Sequence, residues 1–272
     1  MRNINEIKKD YENGLSLTQL SKIEGVSRQK ISRDLKKINV QIINQHNKLK
    51  FNEHYFDNID SEEKAYWLGF IFADGCIMNN TKTFELGLSK IDSGHIDKFK
   101  KSVSFTGKVY NKEKSISCCL RSKHLWETLN NYGCTPRKSL TLKFPNINIF
   151  NNKKLVRHFI RGYFDGDGCI TYHKYLKTVS MSVSIIGTKD FLNKIIKITK
   201  IPATFRHDKR HSDETYSIEY SKDNGTKLIN LLYDNSTIYL DRKYEKYIFF
   251  KNGSRSIQEW VELWSGNIGK NP

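Results

Sequence analysis

Asp74 and Asp167 each close one copy of the same pattern. Residues 66–77 read Tyr-Trp-Leu-Gly-Phe-Ile-Phe-Ala-Asp-Gly-Cys-Ile, and residues 159–170 read Phe-Ile-Arg-Gly-Tyr-Phe-Asp-Gly-Asp-Gly-Cys-Ile. At an offset of 93, Gly69 falls on Gly162, Asp74 on Asp167, Gly75 on Gly168, Cys76 on Cys169 and Ile77 on Ile170. A helix that stops at Asp-Gly holds its carboxylate against the negative end of the helix dipole, so the acid needs a cation nearby. The glycine suits a left-handed or strained exit. Two such helices side by side bring Asp74 and Asp167 to one edge of their interface, with Gly69 and Gly162 removing bulk where the backbones approach. Adjacent carboxylates repel unless a divalent metal or a shared proton lies between them. In a basic chain, a hard cation that binds phosphate oxygens is the more natural partner. A lone Asp-Gly is ordinarily a turn. Asp165-Gly-Asp-Gly also suggests a calcium loop, but the later oxygen ligands and terminal Glu are missing. Recurrence with a glycine in register argues against a turn alone.

Such a repeat decides the architecture, and two copies are too few for a solenoid, so a pseudo-two-fold pair is expected. Trp67-Leu-Gly-Phe-Ile-Phe-Ala-Asp-Gly and Ile160-Arg-Gly-Tyr-Phe-Asp-Gly-Asp-Gly resemble the two signature helices of single-chain LAGLIDADG homing endonucleases. The similarity runs over residues 60–250. It implies an α+β fold of two pseudo-symmetric αββαββα halves with antiparallel DNA-binding sheets and the motif helices at the pseudo-dimer interface. It also implies that Asp74 and Asp167, at the eighth motif position, hold metal, with Ala73 and Gly166 beside them in the metal sites. The second motif position departs from the family, with Leu68 and Arg161 where small residues are common, which bears on how tightly the helices pack.

The formal charge is +17, from 46 Lys and Arg against 29 Asp and Glu, and this excess favours a polyanionic partner over a merely basic surface. The longest apolar run, Tyr66 to Ala73, falls far short of a bilayer span. The first residues lack a secretory h-region, so an intracellular, cytoplasmic protein is expected. Five cysteines without a C-x-x-C pair point to reduced thiols rather than a zinc site. Packing at a strand start accounts for Cys76 and Cys169.

Residues 1–42 read as a small all-α helix-turn-helix domain. Ile4 to Asn13 is a first helix, Ser16-Leu-Thr-Gln opens a second with a capping box, and Gly25-Val26-Ser27 turns into a third. Ile31 and Leu35 point inward, leaving Arg28, Gln29, Lys30, Ser32 and Arg33 outward to contact base edges, with Lys36 and Lys37 on phosphates. A three-helix bundle with a solvated basic face is the alternative. Residues 43–60 read as a linker, 61–150 as half 1, 151–252 as half 2, and 253–272 as a tail carrying a short amphipathic helix from Ile257.

Within half 1, helix-like sequence from Ser61 delivers Asp74. Cys76–Met78 and Phe84–Lys90 form a hairpin, Asp92–Val103 a helix, Val109 onward and Ser115–Arg121 a second hairpin, and Leu125–Tyr132 a helix. Half 2 echoes this with Cys169–His173 and Val179–Ile186, Thr188–Thr199, Phe205–Lys209 and Tyr216–Ser221, and Thr226–Tyr233. One face of each sheet packs on the helices. The other, rich in Lys, Arg, Ser, Thr and Tyr, is free for nucleic acid, with Lys90, Arg121 and Arg206 as candidate contacts. Lys90 is a further polar site residue whose counterpart is Ile185, so the two sites are expected to differ. An ordinary solvated sheet face is the alternative.

The Arg-Lys pairs at 137–138 and 242–243 place Lys138 and Lys243 at comparable distances, 64 and 76 residues, beyond the two acids. The resemblance implies that a basic residue here points into the active centre; without it each reads as a surface lysine. The function implied is a monomeric, site-specific endonuclease for double-stranded DNA, with Mg2+ at Asp74 and Asp167. Mn2+ is expected to substitute, and Ca2+ to bind without supporting cleavage. Lys138 and Lys243 would neutralise phosphate charge or orient the water. A cleavage-inactive DNA-binding regulator and an intron RNA maturase are the alternatives. An intein is disfavoured, since Met1 begins the helix-turn-helix and no nucleophile follows Asn271-Pro272.

Overall fold

The computed structural model describes residues 2–13, 15–40, 42, 50–175, 178–207 and 215–252, with no side-chain detail over 173–180. Residues up to Leu49 and residues from Lys50 form two compact units.

In the smaller unit, Asn3 caps α1 (Ile4–Glu12) and the expected Ser16–Gln19 capping box opens α2 (Leu17–Glu24). Gly25 ends α2 in the left-handed region at φ 66°, where glycine carries no Cβ penalty. Ser27 then accepts from the Lys30 N–H to start α3 (Arg28–Lys37). Ile7, Tyr11, Leu20, Ile31, Leu35 and Val40 close a separate core.

The larger unit begins earlier than the expected linker allows. Tyr55, Phe56 and Ile59 are buried in its main core, so the chain is packed from Lys50 onward. Half 1 runs α4 (Glu62–Asp74), β1 (Gly75–Met78), β2 (Thr83–Ser89), α5 (Ser93–Ser102), β3 (Val109–Asn111), β4 (Ser115–Arg121) and α6 (Lys123–Asn131). Half 2 runs α7 (Val156–Asp167), β5 (Gly168–Tyr175), β6 (Thr178–Gly187), α8 (Lys189–Thr199), β7 (Thr204–His207), β8 (Tyr216–Ser221) and α9 (Lys222–Tyr233). Each half is αββαββα, and the antiparallel sheets share one order, β1-β2-β4-β3 and β5-β6-β8-β7. A further helix, α10 (Asp241–Lys251), follows α9 and closes half 2, where the sequence pattern predicts none. The tail from 253, with its expected amphipathic helix, and Asp208 and Lys209 lie outside the described residues.

The strand register corrects one pairing. Leu86 sits opposite Gly75, and Ile185 sits opposite Gly168, so Ile185 corresponds to Leu86 and is buried core. The hairpin of half 2 is longer, which displaces the simple repeat offset beyond β5. Four residues further on, Lys189 is the register counterpart of Lys90.

The sheet faces divide as alternation requires. Phe84, Leu86, Cys118 and Leu120 point to the core in half 1, as do Ile170, Val183, Ile185, Ile218 and Tyr220 in half 2. The opposite face is less uniformly basic than composition suggests. Glu85 lies in register with Cys76 and Cys119, and Glu219 with Ser184 and Thr204. Cys76 and Cys169 are exposed on this face, so packing does not account for them.

Candidate active site

The helix pair α4 and α7 is the spine of the larger unit, and its glycines set the spacing. A Cβ on Gly69 would overlap the Phe159 carbonyl and come within 2.9 Å of the Tyr163 nitrogen. A Cβ on Gly162 would overlap the Tyr66 carbonyl and come within 2.8 Å of the Phe70 nitrogen. Phe159 and Tyr163 are the repeat mates of Tyr66 and Phe70, so each helix crosses the other at the same place in its own motif. Nothing larger than glycine fits. Further along, a Cβ on Gly166 would lie 3.0 Å from Asp74 Oδ2, so the two helix ends converge where the acids stand.

The glycines after the acids serve close packing rather than a left-handed turn. Gly75 and Gly168 are extended, with φ of −72° and −97°. A Cβ on Gly75 would sit 2.6 Å from the Ile71 carbonyl and 2.8 Å from Phe84; one on Gly168 would sit 2.5 Å from the Phe164 carbonyl. The chain leaves each helix directly into the first strand of its sheet.

The cations demanded by the helix ends are Lys138 and Lys243, both buried. Lys138 Nζ donates to the carbonyls of Ala73 at 2.9 Å and Gly75 at 2.7 Å. Lys243, on α10, donates to Phe164 at 2.6 Å, Asp165 at 2.8 Å and Gly168 at 2.5 Å. Burial lowers the Lys243 pKa to about 8, with the Asp165 charge acting in the opposite direction.

Both acids are held above the usual carboxylate range. For Asp74 the surrounding protein is the main cause and the Asp167 charge the second, raising it to about 6; Lys243 and then Lys138 oppose the shift. For Asp167 burial again leads, opposed by Lys138, the Tyr163 hydroxyl and Lys243. Each acid thus feels the other half's lysine before its own. Both residues keep access to solvent. Two convergent carboxylates that repel one another, made of hard oxygen donors and open to solvent, fit a divalent cation of the magnesium class.

Sequence reasoning missed the frame that delivers Lys243. Asp165 is fully buried and accepts hydrogen bonds from Tyr66 (2.7 Å), the Leu240 N–H (2.8 Å) and Tyr233. Its carboxylate is therefore spent inside the protein rather than on a calcium loop. Arg161, the departure at the second motif position, is fully buried yet does not spread the helices. Its guanidinium donates to the Ile238 carbonyl (3.0 Å), the Leu232 carbonyl (2.9 Å) and Glu62 (2.7 Å). Burial, with the adjacent guanidinium, lowers His158 to about 4, so the neutral ring accepts from Arg161 at 2.6 Å. Together Asp165 and Arg161 pin the α9–α10 connection on whose far side Lys243 stands. The signal available in sequence was a charge at two positions where half 1 has Leu68 and Phe72.

The remaining candidate contacts are scattered. Arg28, Gln29, Lys30 and Arg33 are exposed on α3 and Ser32 is half-buried. Gln29, Lys30 and Arg33 turn away from the buried Ile31 and Leu35, whereas Arg28 and Ser32, each three residues before one of them, flank that face rather than oppose it. Lys90 is exposed just after β2, and Arg121 is exposed at the end of β4. Arg206 is exposed on β7, but its guanidinium is paired with Glu219 at 2.6 Å. Among the described residues, no helix is long and apolar enough to cross a membrane.

No protein-family model matches the chain. Three curated proteins of Methanocaldococcus jannaschii resemble it. They are DNA-directed RNA polymerase subunit Rpo1C (27% identity, over 64% of this chain and 22% of that protein), an uncharacterized protein (28%, 47% and 49%) and a probable translation initiation factor IF-2 (24%, 70% and 17%). The chain thus spans less than half the length of each. Among solved structures, a variant of I-SmaMI superposes with a TM-score of 0.53 at 13% identity, covering 76% of this chain and 99% of that one. The LAGLIDADG meganuclease I-AabMI bound to uncleaved DNA gives 0.51 at 12%, covering 76% and 98%. The LAGLIDADG homing endonuclease I-GzeII in complex with its DNA target gives 0.50 at 15%, covering 76% and 98%. The larger unit has the fold of LAGLIDADG homing endonucleases.

Proposed function

We propose that the protein is a site-specific homing endonuclease that hydrolyses one phosphodiester on each strand of double-stranded DNA. The observation that carries this reading is the reciprocal glycine crossing of α4 and α7, which brings Asp74 and Asp167 to one centre. Asp74 and Asp167, with Ala73 and Gly166 beside them, would hold Mg2+. When bound, the ion supplies Lewis-acid polarisation of the phosphate and charge for the departing oxygen. Mn2+ substitutes in this role, whereas Ca2+ binds without supporting cleavage.

The chain's own groups do the positioning. The acids must lose their protons before they bind metal, and the raised pKa of Asp74 moves that step up to about pH 6. Lys138 and Lys243 fix the helix ends that aim the acids. The sheet faces carrying Arg121 and Arg206, with Lys90 just past the end of β2, would follow the duplex, and α3 would read a flanking stretch through Arg28, Gln29, Lys30, Ser32 and Arg33. Both motifs lie in one chain, so the acting form is a monomer, in the compartment that holds the DNA.

The relatives favour mobility. A polymerase subunit and an initiation factor have unrelated roles, yet each matches this chain over about a fifth of its length. Recurrence of that kind is what an inserted, transferable module leaves behind. The test is incubation with DNA carrying the insertion junction of the encoding gene, in Mg2+ and in EDTA. Cutting only with metal is expected. A stable complex that never cuts would make the protein a regulator, and binding of intron RNA alone would make it a maturase.

A further inference from the structure

The first residues of the larger unit hold a second cluster of ligating side chains. His54 Nδ1 lies 2.8 Å from Asp57 Oδ2, and His124 Nε2 lies 2.6 Å from Asp57 Oδ1. The two rings are 4.4 Å apart, and one ligand atom from each of the three side chains falls within 4.8 Å of the others. Among the described residues, this is the one group of three or more His, Cys, Asp or Glu arranged in this way. We infer that His54, Asp57 and His124 form a binding site for a transition-metal ion of the zinc class, distinct from the paired acids and independent of whether the protein cuts DNA.

Two features argue for a site rather than a chance surface network. The first is the donor set: two imidazoles and a carboxylate leave a fourth position for water, an arrangement that Zn2+ accepts at about 2.0–2.2 Å and that Mg2+ does not favour. Three ligand atoms around such an ion stand farther apart than the present hydrogen bonds. Making room therefore requires the His54 side chain, 63% exposed, to turn outward. The second is the frame. A turn closed by the Asp57 N–H on the His54 carbonyl presents His54 and Asp57 three residues apart. Tyr132, just past α6, donates to the Phe56 and Asp57 carbonyls at 2.9 and 3.2 Å, which fixes that turn to the helix. At the other end of α6, Ser122 caps the helix through the Leu125 N–H and bonds Glu53, holding His124 opposite the turn. Ligands carried by two elements that are already clasped together need little reorganisation to bind.

The ion would tie residues 54–57, where the chain joins the larger unit, to α6. Cysteine spacing could not reveal this, because the ligands are two imidazoles and a carboxylate, with Asp57 and His124 separated by 67 positions of sequence.

The test is titration of EDTA-stripped protein with Zn2+ against a chromophoric chelator, with Co2+ absorption as a second probe of ligation. One equivalent of Zn2+ is expected in the wild type, with a Tm that rises with zinc concentration. Binding should persist in the Asp74→Asn/Asp167→Asn protein. It should weaken at least about tenfold in His124→Ala and in His54→Ala. The His54 side chain is 63% exposed, so its replacement leaves folding intact should His124→Ala fail to fold. Absence of stoichiometric binding in the wild type, or equal affinity in His54→Ala, would overturn the assignment.

Discussion

The two halves present the same acid by unequal means. In half 1, Lys138 donates to two carbonyls and keeps one ammonium proton for another partner. In half 2, Lys243 gives all three of its protons to backbone carbonyls, and so acts as a cap for the end of α7. Around Asp74 the motif helix is apolar, with Leu68 and Phe72 in the core. At the matching positions of α7, Arg161 and Asp165 are buried and tied to the segment that leads into α10. Duplication has kept the backbone crossing and a lysine on the carbonyl of the glycine after each acid, while only the second copy ties the segment before its lysine to buried charges of the motif helix. Identical positions therefore need not do identical work.

The largest effect expected is loss of either acid. Asp74→Asn and Asp167→Asn should each lower double-strand cleavage by about 10^2–10^3-fold or more, with binding largely kept at moderate salt, as gel shift and cleavage assays on the same DNA would show. If only one replacement mattered, the halves would be chemically unequal at the acids themselves.

The lysines should then separate. Lys138→Met should reduce cleavage by about 10^2-fold, because it removes the one donor with a proton to spare. Lys243→Met should act mainly on stability, by about 1–2 kcal/mol through the helix end it caps, and be seen in denaturant midpoints. Equal effects of the two on cleavage at equal stability would erase the distinction drawn between them.

The glycines should not separate. Gly69→Ala and Gly162→Ala each force backbone apart at reciprocal points, and each should cost about 1–3 kcal/mol in urea unfolding. Unequal costs would show that the crossing is less symmetric than its contacts.

The smallest effect concerns protons. The Asp74 pKa is raised from 3.8 to about 6, so within that window the metal-free folded state holds a proton that the unfolded chain has released. This group's contribution to stability therefore falls as pH rises through the window. Metal affinity should climb across the same range and level off above about pH 6, as calorimetry at several pH values would record. Asp167→Asn removes a charge that raises Asp74, and should move the midpoint to lower pH. No movement would mean that the two carboxylates do not sense each other.

Much of this centre was legible before any coordinates. The repeat carries its own alignment, so Gly69, Gly162, Asp74 and Asp167 could be named together, and helix-end electrostatics required the cations that Lys138 and Lys243 provide. What stayed hidden depends on contacts between distant positions. Arg161 looked like an obstacle to helix packing because nothing local shows that Leu232, Ile238 and Glu62 surround its guanidinium. Lys90 was matched to Ile185 because a longer hairpin in half 2 shifts the register. Helix α10 was missed because its polar sequence, Asp241 to Lys251, is held by tertiary contacts rather than by a clear apolar stripe. The His54–Asp57–His124 cluster joins parts of the chain that share no pattern.

The central claim is that Asp74 and Asp167 share one cation-binding centre. Anomalous diffraction from crystals of the wild-type protein with DNA and Mn2+ tests it most directly. The account predicts anomalous density in contact with both carboxylates, absent from the Asp74→Asn/Asp167→Asn protein. Density confined to other sites, or two carboxylates too far apart to approach a common ion or adjacent ions, would contradict it.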